Sequence, residues 1–385
     1  MNTISEQIVA ALTSVLGEGP VALHAPRLNG NEKLYLSDCV DSTFVSSVGP
    51  YVDRLEADLA QFTGARHVVA TVNGTSALHV ALLIAGVLPG DEVLVPALSF
   101  VATANAVRYC DATPHFLDSE ELTLGMDPLA MAKWLSETCI VVDGKCINRT
   151  TGSRIAAVVP MHTFGHPCDI AGIERVAMEY GFPVVEDAAE SLGTLVNAQH
   201  TGTFGLLGIL SFNGNKIVST GGGGSILTND YELARRAKHM TTTAKLSHSW
   251  EYLHDEVGYN YRMPNINAAL GCAQLEEIES FISSKRKLHG IYQDAFSEID
   301  GVSIFTEPTG SRSNYWLQTV MLDKDQVGIR DEILNALNNN GFMSRPAWNL
   351  LPSLKPFQGC PRAPLPVAES LVQRIVNIPS SAGLA

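Results

Sequence analysis

The sequence predicts an α/β fold in which a large, mostly parallel, doubly wound sheet is accompanied by a smaller domain. Short apolar runs alternate with helical patterns of about ten to fifteen residues through much of the chain. This alternation implies right-handed crossovers between parallel strands. A chain of 385 residues is also too long for one small core, and its 45% apolar and 17% charged residues are typical of a globular protein.

The first clear helix covers residues 50–63. Val52, Leu55 and Leu59 recur there at a spacing of three or four residues, so that one face of the helix is apolar. Short extended runs predict strands at 67–72, 92–96, 113–117, 155–161 and 184–187. Helical patterns predict helices at 77–85 and 170–180.

The remaining patterns define a hairpin and a second domain. Turn signals at 143–144 and 151–152 predict a hairpin within residues 140–154. Beyond it, the patterns predict helices at 230–241, 265–284 and 328–339, an extended stretch at 301–322 and a proline-broken remainder. We assign residues 1–260 to the large domain and 261–385 to a small α+β domain, and we expect the N-terminal helical segment 1–30 to pack on the small domain.

Composition limits the partners and the compartment. The formal net charge of −14 leaves no basic face for nucleic-acid phosphates. No apolar run approaches the roughly 18 residues of a membrane-spanning helix, and the N-terminus lacks the regions of a secretory signal. The seven cysteines are scattered without a Cys-x-x-Cys pair, which favours a reducing compartment. We therefore expect a cytoplasmic protein without nucleic-acid or membrane partners and without a metal site.

The segment Asn73-Gly74-Thr75-Ser76 stands between a predicted strand and a predicted helix. Free backbone N–H groups and hydroxyl side chains at a helix N-terminus are suited to binding an anion such as phosphate. The alternative is an ordinary helix cap, in which a hydroxyl satisfies the backbone donors.

Lys216 and Asp187 point most directly to a chemistry. Lys216 follows Asn213-Gly214-Asn215 and precedes four glycines, and Asp187 ends a predicted strand. An amine that binds an aldehyde, and a carboxylate that keeps a pyridine nitrogen protonated, are what pyridoxal 5′-phosphate (PLP) requires. Alone, each residue has an ordinary alternative, namely a solvated lysine and a helix cap. A phosphate loop of the ATPase type is excluded because the lysine precedes the glycines.

From about residue 30 to residue 380, the sequence resembles the DegT/StrS-type sugar aminotransferases of PLP fold type I. The resemblance is carried by residues 44–49 (FVSSVG), 73–78 (NGTSAL), 160–165 (PMHTFG), 185–193 (VEDAAESLG), 211–224 and 258–263 (GYNYRM). It implies a mostly parallel seven-stranded sheet and a PLP cofactor that passes through pyridoxamine 5′-phosphate.

The resemblance also implies roles for individual residues. Lys216 is the Schiff-base lysine, Asp187 pairs with the pyridine nitrogen, and Phe100 stacks on the ring. Asn260 reaches the phosphate of the neighbouring subunit, which implies a homodimer with shared active sites. The full set expected to contact the cofactor is Gly74, Thr75, Ser76, Phe100, Asp187, Glu190, Ser211, Asn213, Lys216 and Asn260. Asn213 stands where many members have His, and Glu190 stands where some have His or Gln.

Within the family, residues 143–154, 161–165 and 212–216 look most like the aminotransferases of legionaminic-acid-type pathways. That likeness implies transfer of the amino group of L-glutamate to the C4 ketone of a nucleotide-linked 4-keto-6-deoxy sugar in bacterial surface glycan or nonulosonic acid biosynthesis. The implied substrate is UDP-2-acetamido-4-keto-2,6-dideoxy hexose. A GDP-linked 4-keto sugar and amination at C3 are alternatives. A non-catalytic PLP-binding regulator is the alternative from another class.

Three further residues are candidates for binding substrate. His162 follows a strand on the predicted ligand side, although a histidine that bonds a backbone carbonyl is an equal alternative. Arg262 and Arg345 are candidate partners for the carboxylate of glutamate or for the diphosphate of the nucleotide, with a surface ion pair as the alternative for each.

Overall fold

A computed structural model describes residues 3–385, and residues 1 and 2 of the predicted segment 1–30 lie outside the described residues. The described α-helices are α1 (Ile4–Leu16), α2 (Glu32–Asp41), α3 (Pro50–Thr63), α4 (Gly74–Ile84), α5 (Val101–Tyr109), α6 (Pro128–Thr138), α7 (Ile170–Tyr180), α8 (Tyr231–Thr241), α9 (Asn265–Glu276), α10 (Ile278–Phe296), α11 (Arg330–Asn339) and α12 (Pro366–Arg374). None of these helices combines the length and the apolarity that crossing a membrane requires.

The described strands are β1 (His67–Thr71), β2 (Glu92–Pro96), β3 (Thr113–Leu117), β4 (Cys139–Val142), β5 (Lys145–Asn148), β6 (Ile155–Val158), β7 (Val185–Asp187), β8 (Leu195–Val196), β9 (Gln199–His200), β10 (Leu207–Ser211), β11 (Gly224–Thr228), β12 (Val302–Ile304), β13 (Ser311–Arg312), β14 (Gln318–Leu322), β15 (Arg345–Pro346) and β16 (Ile375–Ile378).

A seven-stranded sheet is formed by strands within residues 67–228. Strands β3, β2 and β6 pair in that order, and β7, β10, β11 and β1 pair in that order. Parallel bridges from Val158 to Val184 and from Met161 to Asp187 join the two groups. Only β11 runs antiparallel to its neighbours. The predicted mostly parallel α/β fold is therefore confirmed.

The central strands are apolar because both faces of the sheet are covered. All five residues of β2 are buried. Val93 and Val95 belong to one buried apolar cluster and Leu94 belongs to another, so that this strand separates two cores. Strands buried on both faces are typical of parallel sheets in α/β proteins.

A second sheet, ordered β12, β14, β16 and β15, lies in the C-terminal part of the chain. Its buried side chains share an apolar cluster with α1, α10 and α11, in which Ile8 and Leu12 of α1 lie beside Leu288 and Val376. The division of the chain near residue 260 stays a prediction.

Several predicted elements have different bounds in the structure. The predicted helix 265–284 is two helices, α9 and α10, which meet at Glu277, and α10 continues to Phe296. The predicted strand 155–161 ends at Val158. In the proline-broken remainder, Pro366 is the first residue of α12, a position where the fixed φ of proline favours a helix. The predicted hairpin forms, with β4 antiparallel to β5.

Candidate active site

A cavity of about 320 Å³ opens at the carboxyl edge of the large sheet. In open parallel sheets, ligands bind beyond this edge. Predicted site residues that line the cavity are Gly74, Thr75, Phe100, Asp187, Glu190, Ser211, Asn213 and Lys216. The ends of β1, β2, β7 and β10 thus bring these residues together, although they are spread over more than a hundred positions of the sequence.

The N-terminus of α4 forms one end of the cavity. Asn73 caps this helix, because its side chain accepts a hydrogen bond from the backbone N–H of Ser76 at 2.7 Å. No described residue accepts a hydrogen bond from the N–H of Gly74 or Thr75. The hydroxyls of Thr75 and Ser211 also have no hydrogen-bond partner among residues 3–385. A Cβ on Gly74 would lie 2.9 Å from the Cβ of Ser211. The absence of a side chain there leaves a group of free donors that fits a phosphate.

Asp187 lies at the base of the cavity and is only 4% exposed. One carboxylate oxygen accepts from the Thr103 hydroxyl at 2.8 Å, and the other accepts from the Ala189 N–H at 3.2 Å. Burial raises the pKa of Asp187, and these donors together with Lys216 oppose that effect. A buried carboxylate with so few partners is suited to face a cation such as a protonated pyridine nitrogen.

Lys216 projects its amine between an acid and an indole ring. Its Nζ lies 3.0 Å from Oε1 of Glu190 and 3.9 Å from the ring centroid of Trp316. The other oxygen of Glu190 accepts from the N–H of Phe164 at 2.9 Å. Burial raises the pKa of Glu190, whereas Lys216 opposes the shift. The two contacts hold the amine inside the cavity, although Lys216 follows a loop that is largely open to solvent.

The remaining predicted residues occupy several places. Phe100 is 47% exposed and stands on the rim, 6.2 Å from Trp348 between ring centroids. Ser76 is buried in α4 and does not line the cavity. Asn260 is exposed and is not among the lining residues, and its side chain has no hydrogen bond to a described residue. Arg345 lines a second, larger cavity.

His162 and Arg262 line neither cavity, and each has a partner within the protein. The Nε2 of His162 lies 3.0 Å from Glu186, and the whole side chain is buried. Burial would lower the pKa of His162, but Cys168 and Glu186 outweigh it and raise the pKa to about 10. Arg262 donates to Glu56 at 2.7 Å and to the carbonyl of Ala70. Each residue therefore has a carboxylate partner: His162 contacts Glu186 instead of a backbone carbonyl, and the ion pair of Arg262 is largely buried instead of lying on the surface.

Comparison with known proteins identifies the family. Residues 26–385 match the DegT/DnrJ/EryC1/StrS aminotransferase family. The chain belongs to this family. GDP-perosamine synthase of Caulobacter vibrioides is 34% identical over 94% of each chain, and that of Escherichia coli O157:H7 is 35% identical over 95% of this chain and 94% of its own. Among solved structures, the aminotransferase TlmJ of Streptoalloteichus hindustanus superposes with a TM-score of 0.85, at 28% identity over 94% of each chain.

The cavity of this DegT/DnrJ/EryC1/StrS aminotransferase fits PLP. Free donors at α4 and Ser211 suit the phosphate, buried Asp187 suits the pyridine nitrogen, and the amine of Lys216 suits the aldehyde. Each group lies in the same cavity, and the donors at α4 have no partner of their own among the described residues. The chain is therefore a PLP-type sugar aminotransferase with an intact lysine.

Sequence reasoning missed the aromatic residues of this aminotransferase site. Trp316 and Trp348 line the cavity, and Trp316 donates its indole N–H to the carbonyl of Asn215 at 2.7 Å. Phe164 has a left-handed φ of 57°, which residues other than glycine seldom adopt. No local pattern marks the two tryptophans, because they reach the cavity from the C-terminal part of the chain.

Proposed function

We propose that this protein transfers the amino group of L-glutamate to the C4 ketone of a nucleotide-linked 4-keto-6-deoxy sugar. The observation that carries the proposal is the amine of Lys216, held 3.0 Å from Glu190 in a cavity that also contains Asp187 and the free N–H groups at the start of α4. PLP bound there supplies an electron sink for the carbon that loses or gains a proton. The intact lysine and carboxylate favour an enzyme over a non-catalytic regulator.

Each side chain in the cavity has a role that follows from its position. Lys216 would remove a proton from the carbon next to the amino group and return it, because it is the one amine among the described residues that line the cofactor cavity. Asp187 would pair with the protonated pyridine nitrogen and would keep its negative charge in that ion pair. Glu190 and Trp316 hold the amine of Lys216 at the cavity wall whenever it is free. The same residues serve both half-reactions, because the amino group of glutamate and the ketone carbon of the sugar react at the same position in the cavity.

Two nucleotides are candidates for the sugar substrate. The sequence pattern supports UDP-2-acetamido-4-keto-2,6-dideoxy hexose. A GDP-linked 4-keto sugar is supported by relatives at 34% and 35% identity that are named for GDP-perosamine, a 4-amino sugar. Either substrate places the product in the biosynthesis of a bacterial surface glycan.

A half-reaction screen tests the proposal. The protein is first loaded with PLP and converted with L-glutamate, and loss of the pyridoxamine absorbance is then recorded after adding each keto sugar nucleotide separately. We expect a response to a 4-keto-6-deoxy sugar with UDP or GDP. A response only to 3-keto sugars would overturn amination at C4, and no response to any keto sugar would overturn the function itself.

We also propose a homodimer in the cytoplasm. Trp250, Tyr252 and Val257 are each nearly four-fifths exposed, and Phe44 and Val48 are also exposed. Clusters of large exposed apolar side chains mark interaction surfaces, and a second copy of this chain is the partner that the family resemblance implies. All seven cysteines are free thiols, which agrees with a reducing compartment.

A further inference from the structure

A larger cavity of about 640 Å³ adjoins the cofactor cavity. The two share four wall residues, which are Phe100, Asn215, Trp316 and Trp348. The rings of Trp348 and Phe164 pack 4.9 Å apart between centroids. A molecule in the larger cavity would therefore meet the cofactor site across an aromatic wall.

The charge of the larger cavity differs from that of the smaller one. No Asp or Glu occurs among the described residues that line it, whereas Asp187 and Glu190 line the smaller cavity. Arg345 is its one lysine or arginine, and no described carboxylate lies within ion-pair distance of that guanidinium. Arg345 donates only to the Asn338 side chain and the Ser344 carbonyl. Arg345 is exposed in the wall of a cavity that has no acidic residue among its described lining residues, so its guanidinium is free to donate to an anion that enters the cavity.

His24 is the second polar residue of interest in this wall. Both of its ring nitrogens are buried, and neither has a hydrogen-bond partner among residues 3–385. Burial, with smaller contributions from Lys285 and Lys216, lowers the pKa of His24 well below its ordinary value. The ring is therefore neutral, with one donor and one acceptor. Unsatisfied buried polar groups are rare in folded proteins and call for a partner.

His24 lies close to the cofactor cavity. Its ring centroid is 6.4 Å from that of Trp316, the ring that contacts the amine of Lys216. The segment that carries His24 is fixed on both sides, because the carbonyl of Leu23 accepts from the N–H of Ser380 and the N–H of Ala25 donates to the hydroxyl of Ser381 at 2.8 Å. His24 is thus held in the wall by hydrogen bonds of the residues on each side of it.

We propose that the larger cavity binds the sugar nucleotide, with a polar substituent of the sugar at His24 and the diphosphate at Arg345. This inference rests on the proposed function. In a hexose, C4 and the anomeric carbon lie on opposite sides of the ring, so that a sugar with C4 at the cofactor carries its diphosphate one ring away from Lys216. Arg345 lines only the larger cavity, and the α-carboxylate of glutamate must stay beside the cofactor.

Two arginine variants test the diphosphate site. Arg345→Gln in the PLP-loaded protein is expected to weaken binding of UDP or GDP about ten- to hundredfold, as for the loss of a charged hydrogen bond. Binding is measured by calorimetry. Arg175→Gln, at an exposed position on α7 outside both cavities, is the matched control and should bind as wild type does. Unchanged nucleotide affinity in Arg345→Gln, or a slower half-reaction with glutamate instead, would overturn this assignment.

A histidine variant tests the sugar site separately. His24→Phe keeps an aromatic ring and removes both unpartnered nitrogens, so that its melting temperature should equal or exceed that of wild type. We expect its KM for the keto sugar nucleotide to rise about tenfold, as for the loss of one or two hydrogen bonds, while its affinity for free UDP or GDP stays unchanged. His24→Gln, which retains a donor and an acceptor, should recover part of the loss.

The outcomes separate this inference from the proposed function. An unchanged KM in a folded His24→Phe protein contradicts the role of His24. If no keto sugar reacts with the wild-type protein, the proposed function is wrong, but the nucleotide titrations still decide whether the larger cavity binds a nucleoside diphosphate.

Discussion

The amine of Lys216 has two different neighbours, and they act in different ways. Glu190 offers a carboxylate at 3.0 Å, and Trp316 offers the face of an indole ring at 3.9 Å. The first contact is an ion pair, and the second is an attraction between the ammonium group and the quadrupole of the ring. Both contacts point the amine into the cavity, so that it is already positioned when the cofactor arrives.

Replacement of Lys216 by alanine tests this assignment. We expect Lys216→Ala to lose the visible absorbance of the lysine-bound cofactor and to slow turnover about a hundred- to ten-thousandfold, as for the loss of a general base. Absorbance spectra and steady-state rates measure the two effects. Lys133→Ala, at an exposed position on α6, should retain both. Turnover by Lys216→Ala at a rate close to that of wild type would exclude a catalytic role for this lysine.

The buried carboxylate of Asp187 is expected to make stability depend on pH in the cofactor-free protein. Burial raises its pKa above the ordinary 3.8. As the pH rises above that value, the unfolded chain releases its proton first, so the free energy of unfolding falls until the folded pKa is passed. Asp187→Asn cannot ionise, and we expect it to be more stable than wild type at neutral pH and to bind PLP more weakly.

The pH dependence is read from the difference between the two proteins. Thermal unfolding from about pH 4.5 to about pH 8 should show a stability gap in favour of Asp187→Asn that widens with pH. Glu190, whose pKa is raised in the same direction, is present in both proteins and largely cancels from the difference. Equal melting temperatures across this range would show that burial does not destabilise the charged carboxylate.

At the scale of elements, strand β11 controls the shape of the phosphate end of the cavity. Gly224 begins this strand and packs against the junction before α4, where a Cβ would lie 2.5 Å from the carbonyl carbon of Asn73 and 2.6 Å from the nitrogen of Gly74. Backbone atoms cannot move aside as a flexible side chain can. The glycine at this position therefore allows the free N–H groups of α4 to stay where they are.

Gly224→Ala is expected to destabilise the protein by about 1–3 kcal/mol, as in other overpacked cores, and to weaken PLP binding. Denaturant unfolding and cofactor titration measure the two effects. Gly214→Ala is a matched control from the same loop region, because a Cβ there would have no neighbour within 4 Å. If both variants behave alike, close packing at Gly224 does not shape the site.

Sequence patterns predict the elements that depend on local spacing. The helix at 50–63 has the predicted bounds, because its apolar periodicity extends over the whole element, and the strand at 113–117 also has the predicted bounds. The break at Glu277 has no proline or glycine signal, and it separates α9, which packs on α2 and α3, from α10, which packs under the second sheet. Tertiary contacts determine that break.

The residues of the site also divide into those that local patterns predict and those that tertiary contacts bring into place. Gly74, Asp187 and Lys216 follow strands or begin helices, so topology alone brings them to one edge of the sheet. Trp316 and Trp348 reach the cavity only because the second sheet lies beside the first, and no local signal records that arrangement.

At the scale of the whole molecule, the two ends of the chain meet at the larger cavity. Leu23 and His24 come from the N-terminal segment, and Arg345 and Trp348 come from the C-terminal part. Asn260, in contrast, is exposed and has no side-chain partner among the described residues. Its neighbourhood includes the exposed aromatic residues of segment 246–257. A partner subunit that covers this surface would bring Asn260 to a cavity that is not its own.

Mixing two inactive variants tests whether the active sites are shared. If Lys216 and Asn260 of different subunits serve one site, a heterodimer of Lys216→Ala and Asn260→Asp has one intact site and one doubly altered site. Random exchange of subunits should therefore restore about a quarter of wild-type activity, since half of the dimers are mixed and each has one working site. Lys216→Ala mixed with Asp187→Ala is the control, because both residues lie in one cavity and every mixed dimer keeps two defective sites. No recovery in the first mixture, recovery in the control, or a monomer by light scattering would contradict the shared site.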